Sequence, residues 1–413
     1  MKLDLTDLFY ALSFAMDRVE TELLGLDTGH SRHVTYLSVL MGAQAGFREE
    51  ELRDFAGCCI LHDNALTEFI HEELLQNKKI SVDISDMIVG GDKGGFNCSH
   101  CTIGEKNVRL LPFGTDIRNI ILYHHENADG SGAMHKTAAE TPLKSQILHL
   151  ADIIDMKCRL RNITVGEFED LREWVQSKTG SLFSKEAADL FMKAVDYDKI
   201  VYFQLNGARD FLRRAIPESV RDYSYEEIHN IAEMFAKIID YKSEFTQAHS
   251  KGVADKAEIM AHYYNFDAEK AIRFYFAGAM HDIGKLAVSN SILEKPGKLT
   301  VDEFTEMKNH ASATYYILSQ IKEIPDIIEW AANHHEKLNG KGYPRGLTDK
   351  ELSFEDQLMA CIDIYQALTE KRPYKDGMSH EKTVSILMDM AGKGELNEKI
   401  VRDMDAVMGA AVK

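Results

Sequence analysis

The chain repeats itself, and the repeat limits its folds more tightly than any other feature. His30 and His249 lie 219 residues apart, in GHSRHV and AHSKGV, and the pair His62-Asp63 precedes His281-Asp282 by the same 219. After one change of length the register resumes. His100 precedes His310 by 210, His124-His125-Glu126 precede His334-His335-Glu336 by 210, and Asp152 precedes Asp363 by 211. Seven residues able to hold a metal, in one order and at nearly constant offset, mark a duplicated domain. The copies are placed at 1–198 and 222–413. The connector, 199–221, has no counterpart within either copy and contains the breaks Gly207 and Pro217. It is too apolar for a floppy linker, so a short helix over Gly207 to Ala215, packed between the domains, is expected.

A chain of 413 residues with 45% apolar content can bury a separate core in each copy. Apolar residues recur at helical rather than alternating spacing and only 7 prolines interrupt them, so the expected fold is all-α, two tandem helical domains. The formal charge of -18 argues against binding a DNA or RNA polymer or an anionic membrane, which needs clustered cations. A small phosphate ligand stays open, because bound metal ions reverse the local field. The first twenty residues carry acids inside the apolar stretch and lack a basic start, unlike a signal peptide, and no apolar run approaches a membrane span. Six irregularly spaced cysteines suit reduced thiols in the cytoplasm better than a disulfide frame.

In the second copy, Glu269 to Met280 is apolar almost all round and reads as a buried helix that delivers His281 and Asp282, with Gly284 as its stop. Asp326 to Lys337 follows Pro325 and reads as a helix ending in His334-His335. Glu355 to Glu370 places Leu358, Cys361, Ile362, Tyr365 and Leu368 on a core stripe, and sets Asp363 beside the small residues Ala360 and Ala367.

Imidazole nitrogens and carboxylate oxygens together suit Zn, Fe, Mn or Co, and a carboxylate can bridge two ions about 3.5–4 Å apart. Such a pair activates water for displacement at phosphorus, although spacing does not separate phosphorus from oxygen chemistry. Each piece has a plainer reading when taken alone. A lone buried histidine is usually structural, and paired histidines at a helix end are often a solvated cap on the negative end of the dipole. Duplicated, and in one order, they point to a metal site.

HDIGK at 281–285, SILEKPGKLTVDEFTEMKNH ending at His310, HHEKLNGKGYPRGL at 334–347, Asp363, and RPYK at 372–375 together resemble the HD-GYP subgroup of the HD phosphohydrolase superfamily. The resemblance covers nearly all of the second copy. It implies a helical domain with two or three metal ions, Fe or Mn above all, that hydrolyses cyclic dinucleotides such as cyclic di-GMP or 3'3'-cyclic GMP-AMP. Carried over by residue, His249, His281, Asp282 and Asp363 would hold one metal. Asp282, His310, His334 and His335 would hold the other, with Asp282 bridging. Lys285 would act on the scissile phosphate as the catalytic cation. Tyr343, Arg372 and Lys375 match positions that contact the dinucleotide. Gly340 and Gly342 read as ordinary turn glycines.

The departures from the family pattern carry expectations of their own. Three-metal members have a Glu four residues before the first histidine; here Phe245 stands there, with Glu244 one place off, so two divalent ions are expected. The first copy keeps a second set of metal-competent residues, His30, His62, Asp63, His100, His124, His125 and Asp152, but has Leu66 where the Lys should be, and Ala133 and Met134 in place of the Tyr-Pro. Arg161 matches Arg372, whereas Thr164 stands where a Lys would match Lys375. The first copy is therefore expected to regulate or to dimerise, with an exposed face that could support a homodimer, rather than to turn over substrate. Cys98-x-x-Cys101 around His100 offers a small zinc knuckle as a competing idea, weak without a second cysteine pair. Competing functions are a receptor that binds the dinucleotide without cutting it, and an HD-type nucleotidase or di-iron oxygenase; the GYP turn and RPYK argue against the last pair.

Overall fold

The computed structural model describes residues 1–24, 29–66, 68–69, 99–158, 163–216, 219–243, 248–295, 297–371 and 376–411. The chain is all-α: among the described residues the only strands are β1 (Lys2–Asp4) and β2 (Val220–Asp222), which pair with each other. It divides into two compact units, Asp4–Val220 and Arg221–Lys413, with Met1–Leu3 grouped in the latter. No described helix is long and apolar enough to cross a membrane.

The first unit runs α1 (Leu5–Leu24), α2 (His30–Gln44), α3 (Glu49–Ile60), α4 (Ser99–Val108), α5 (Leu143–Cys158), α6 (Val165–Ser177), α7 (Lys185–Ala194) and α8 (Tyr197–Ala215). Its centre is α2, buried along nearly its whole length and packed on α1, α3, α5 and α7. The helix expected over Gly207 to Ala215 is the second part of α8, which starts ten residues earlier and breaks its helical angles at Gly207 (φ 77°, ψ 166°). That left-handed φ is open to glycine without the Cβ penalty. Tyr36 ties the early part down, donating its hydroxyl to the Lys199 carbonyl at 2.6 Å and packing its ring on Phe203. Pro217 lies outside the described residues.

The second unit repeats the order with α9 (Tyr225–Asp240), α10 (His249–Tyr263), α11 (Ala268–Met280), a 3-10 turn (Ile283–Ala287), α12 (Asn290–Leu293), α13 (Val301–Leu318), α14 (Pro325–Ala332), α15 (Phe354–Thr369), α16 (His380–Gly392) and α17 (Glu398–Ala411). Sequence signals set several starts. Ser224-Glu227, Thr300-Glu303 and Ser353-Asp356 form reciprocal capping boxes on α9, α13 and α15, and Pro325 opens α14. The core stripe of α15 is buried except at Leu368, which is partly exposed.

Two helix ends depart from expectation. The helix expected to carry His334 and His335 stops at Ala332, where Asn333 donates its backbone N–H to Glu329 at 2.9 Å. Neighbouring residues of a helix point in different directions, so adjacent histidines can serve one centre only after the chain leaves the helix. Their rings lie 4.0 Å apart. Gly284 is not the stop of α11, which ends at Met280; it lies inside the 3-10 turn. A Cβ there would fall 2.0 Å from the His310 carbonyl oxygen, so glycine is required by the close approach of α13.

Candidate metal centre

Five segments of the second unit converge on Asp282. His249 opens α10, His281 and Asp282 follow α11, His310 lies in α13, His334 and His335 follow α14, and Asp363 lies mid-α15. The Asp282 Oδ2 atom is 3.2 Å from His281 Nε2 and 3.7 Å from His249 Nε2. Its other oxygen is 3.6 Å from His310 Nε2 and 3.8 Å from His334 Nε2. One carboxylate therefore faces two histidine pairs with its two oxygens. Asp363 closes the far side, 3.0 Å from His249 Nε2 and 3.6 Å from His335 Nδ1.

Local backbone geometry aims these rings. The Nδ1 atoms of His281, His310 and His334 lie 2.7, 2.6 and 2.6 Å from the carbonyls of Gly278, Met307 and Ala331, each three residues back. A ring that donates from Nδ1 turns a lone pair on Nε2 inward, the form that binds metal. His249 is oriented by a side chain instead, with Nδ1 2.9 Å from Glu370. Sequence reasoning missed Glu370; its signal is a carboxylate seven residues after Asp363, two turns along one helical face. Asp240 was missed as well. Its carboxylate accepts from the Ser250 N–H at 3.0 Å and so caps α10 at the point where His249 enters.

The donor set fits divalent metal. His281 Nε2 and Asp282 Oδ1 are buried without a hydrogen-bond partner, which is costly unless a ligand satisfies them. Burial works to raise the Asp282 carboxyl, yet His281 and Lys285 hold it well below its usual range. Asp363 is likewise held low against its burial, by His249 and His335. His334 is pushed well down by burial and by His335 and His281, and His335 falls to about 3 through burial, so these rings are neutral donors. His249, buried but paired with Asp363 and Glu370, is raised to about 10.

The accessible edge of the centre carries Lys285 and Tyr343. The Lys285 ammonium lies 2.5 Å from Asp282 Oδ2, and its side chain and that of His335 are 19% and 27% exposed. The Tyr343 ring packs 4.7 Å from His335. Its loop is held by Glu336, a buried carboxylate that accepts backbone N–H groups from Arg345, Gly346 and Leu347 at 2.7, 3.1 and 2.9 Å. Gly340 has the left-handed φ of a turn glycine, but Gly342 is there for space: a Cβ would meet the Glu336 Cα at 2.4 Å. Glu244, Phe245, Arg372 and Lys375 lie outside the described residues.

The first unit assembles the matching set. His30 Nε2 is 3.2 Å from Asp152, and His62, His100 and His124 lie 3.5, 3.9 and 3.8 Å from Asp63. His125 Nδ1 is 3.8 Å from Asp152. His62 and His124 place Nδ1 on carbonyls three residues back, as in the second unit. Asp155 takes the role of Glu370, 2.8 Å from both His30 and His33. Leu66 is fully buried where Lys285 stands, and the Asp63 carboxyl is pushed up to about 7 by burial and the charge of Asp152. Cys98 and Arg161 lie outside the described residues. Ala133, Met134 and Thr164 supply no cation or phenol to this site.

Comparison with known proteins reports two matches to family models described as HD domain, at residues 28–157 and 233–400. The 3'3'-cGAMP-specific phosphodiesterase 1 of Vibrio cholerae is 26% identical over 96% of this chain and 90% of its own length. A cyclic di-GMP phosphodiesterase response regulator of Xanthomonas campestris pv. campestris is 32% identical over 38% of this chain and 42% of its own. A crystal structure of a cyclic GMP-AMP specific phosphodiesterase of V. cholerae superposes with TM-score 0.65 at 22% identity, covering 99% of this chain and 98% of that one, and shares its fold.

Proposed function

This chain belongs to the HD domain family in both halves, the second of HD-GYP type, and from that premise we propose that it is a metal-dependent phosphodiesterase that opens a cyclic dinucleotide. The substrate class is cyclic di-GMP or 3'3'-cyclic GMP-AMP, and the product is the linear dinucleotide, with further cleavage to mononucleotides as a second step. The observation that carries the reading is the pairing of a complete inward-facing donor set with Lys285 at its accessible edge, present in the second unit and absent from the first.

His249, His281, Asp282 and Asp363 would hold one ion, and Asp282, His310, His334 and His335 the other, Fe or Mn. The ions, when bound, supply an activated water nucleophile and Lewis-acid stabilisation at the phosphodiester. The chain's own residues do the rest. Lys285 presents an ammonium to the phosphate from a partly desolvated position, where its charge counts for more than in water. Tyr343 keeps its phenolic proton because burial and the nearby charges of Asp363 and Asp282 raise its pKa, so it donates a hydrogen bond to the ligand. Glu336 holds the loop that carries it. Arg372 and Lys375 would contact the dinucleotide further out. With a net charge of -18, the protein works on a small cytoplasmic messenger and not on a nucleic-acid polymer.

The test is hydrolysis of cyclic di-GMP, 3'3'-cyclic GMP-AMP and cyclic di-AMP by protein reconstituted anaerobically with Fe(II) or Mn(II). Cleavage of one of them, with the same products in the presence and absence of oxygen, is expected. Folded, metal-loaded protein that binds a dinucleotide and leaves all three intact would overturn the enzyme reading in favour of a receptor.

A further inference from the structure

The first unit differs from the second at one position inside the donor set. Next to His100 stands Cys101; the matching residue of the second unit is Ala311, which has no donor atom. The thiol is fully buried, its Sγ lies 3.4 Å from His100 Nε2, and His125 Nε2 lies 3.2 Å from the same atom. His124 completes the group: donor atoms of His100, Cys101, His124 and His125 all fall within 4.8 Å of one another. His124 Nε2 is fully buried and makes no hydrogen bond, while its Nδ1 is spent on the Ile121 carbonyl at 2.6 Å.

We propose that His100, Cys101, His124 and His125 form a closed His3Cys zinc site that braces the first domain and does no chemistry on substrate. Three imidazoles and one thiolate are a zinc-type donor set, softer than the nitrogen and oxygen donors of the second unit. A tetrahedron with Zn–N of about 2.0–2.1 Å and Zn–S of about 2.3 Å sets its ligands about 3.3–3.6 Å apart, near the two separations seen here. The site is also sealed. His125 is 7% exposed where its counterpart His335 is 27% exposed, and buried Leu66 fills the position of Lys285. Structural zinc sites fill all four positions with protein ligands, whereas catalytic ones leave one for water or substrate. A metal bound by four side chains from two separate segments, 100–101 and 124–125, adds directly to folding stability.

Full-length protein stripped by chelator and reloaded with Co2+ provides the test. A thiolate-to-cobalt charge-transfer band in the near ultraviolet is expected in the wild type, kept in His281→Ala/Asp282→Ala, and lost in Cys101→Ala, which installs the residue used by the second unit. Protein loaded with Zn2+ and dialysed should likewise lose one ion per chain on Cys101→Ser or on His124→Ala. Absence of the band from cobalt-loaded wild type overturns the proposal whether or not the variants fold. Persistence of the band in Cys101→Ala overturns it as well.

Discussion

Asp63 and Asp282 occupy the same place, directly after a histidine at the end of a buried helix, and both are almost fully buried. Asp63 is pushed up to about 7 by burial and by Asp152, whereas Asp282 lies well below the usual range because His281 and Lys285 outweigh the same burial. The ring of candidate ligands is built by the fold, through helix ends and carbonyls three residues back, and both units keep it. The cation that we propose meets the phosphate is one side chain, four residues past the histidine, and the first unit has buried Leu66 in its place.

Exchanging that side chain should break the comparison with the largest effect. Lys285→Leu, which writes the first unit's residue into the second, should lower kcat about 10²–10³-fold, the range for losing one preorganised group that stabilises the transition state, with metal content unchanged. Turnover and metal analysis on the same sample check this. Leu66→Lys should leave the first unit inactive, because Ala133 and Met134 still stand in place of the Tyr-Pro.

Packing under the site offers the next test. Gly284 backs onto His310 and Thr314, while the matching positions of the first unit are Ala65 and Gly104, with the Asn64 side chain lying against Gly104. Gly284→Ala should cost about 3 kcal/mol through overpacking, seen as a drop in the unfolding midpoint. Ala65→Gly should cost only about 1 kcal/mol, mainly through the freedom of the unfolded chain.

The carboxylates behind the first histidine of each unit sharpen the comparison further. Glu370→Ala should weaken metal binding in the second unit about 10–100-fold and leave the first unit's ion in place, as measured by competition with a chelating dye. Asp155→Ala, which removes the partner of His30 and His33 and of none of the four proposed zinc ligands named for the first unit, should leave both ions in place.

The smallest expected effect is in pH. Metal-free His249 holds a proton between Asp363 and Glu370 up to about 10. Metal must displace that proton, so affinity in the second unit should fall as pH drops below about 10, by about tenfold per unit for one proton. Titration in buffers of different ionisation heat counts the protons released.

The helical class and the duplication were legible, and so were the histidines and aspartates that the fold draws together, because such residues are matched by identity and order, which survive divergence. Helix ends were less so. Placing His334 and His335 inside a helix followed the periodicity, but the helix ends at Ala332 and the two rings converge beyond it, and periodicity does not report where side chains converge. Gly284 read as a stop because a helix-ending glycine and a close-contact glycine look alike in sequence; the carbonyl of His310 that decides between them is 26 residues away. Glu370 and Asp155 sit seven and three residues after the two matching aspartates, so the repeat that revealed the ligands concealed their supports. Cys101 read as half of a weak Cys-x-x-Cys until the fold placed His124 and His125 beside it.

The most direct measurement sets the two units against each other in one assay: hydrolysis of the preferred cyclic dinucleotide by wild type, by His281→Ala/Asp282→Ala and by His62→Ala/Asp63→Ala, all reconstituted with the same metal. Loss of turnover by at least about three orders of magnitude in the first variant, with kcat kept in the second, is the predicted result. Turnover that survives removal of His281 and Asp282, or that vanishes only when His62 and Asp63 are removed from a folded protein, would contradict the assignment of catalysis to the second unit.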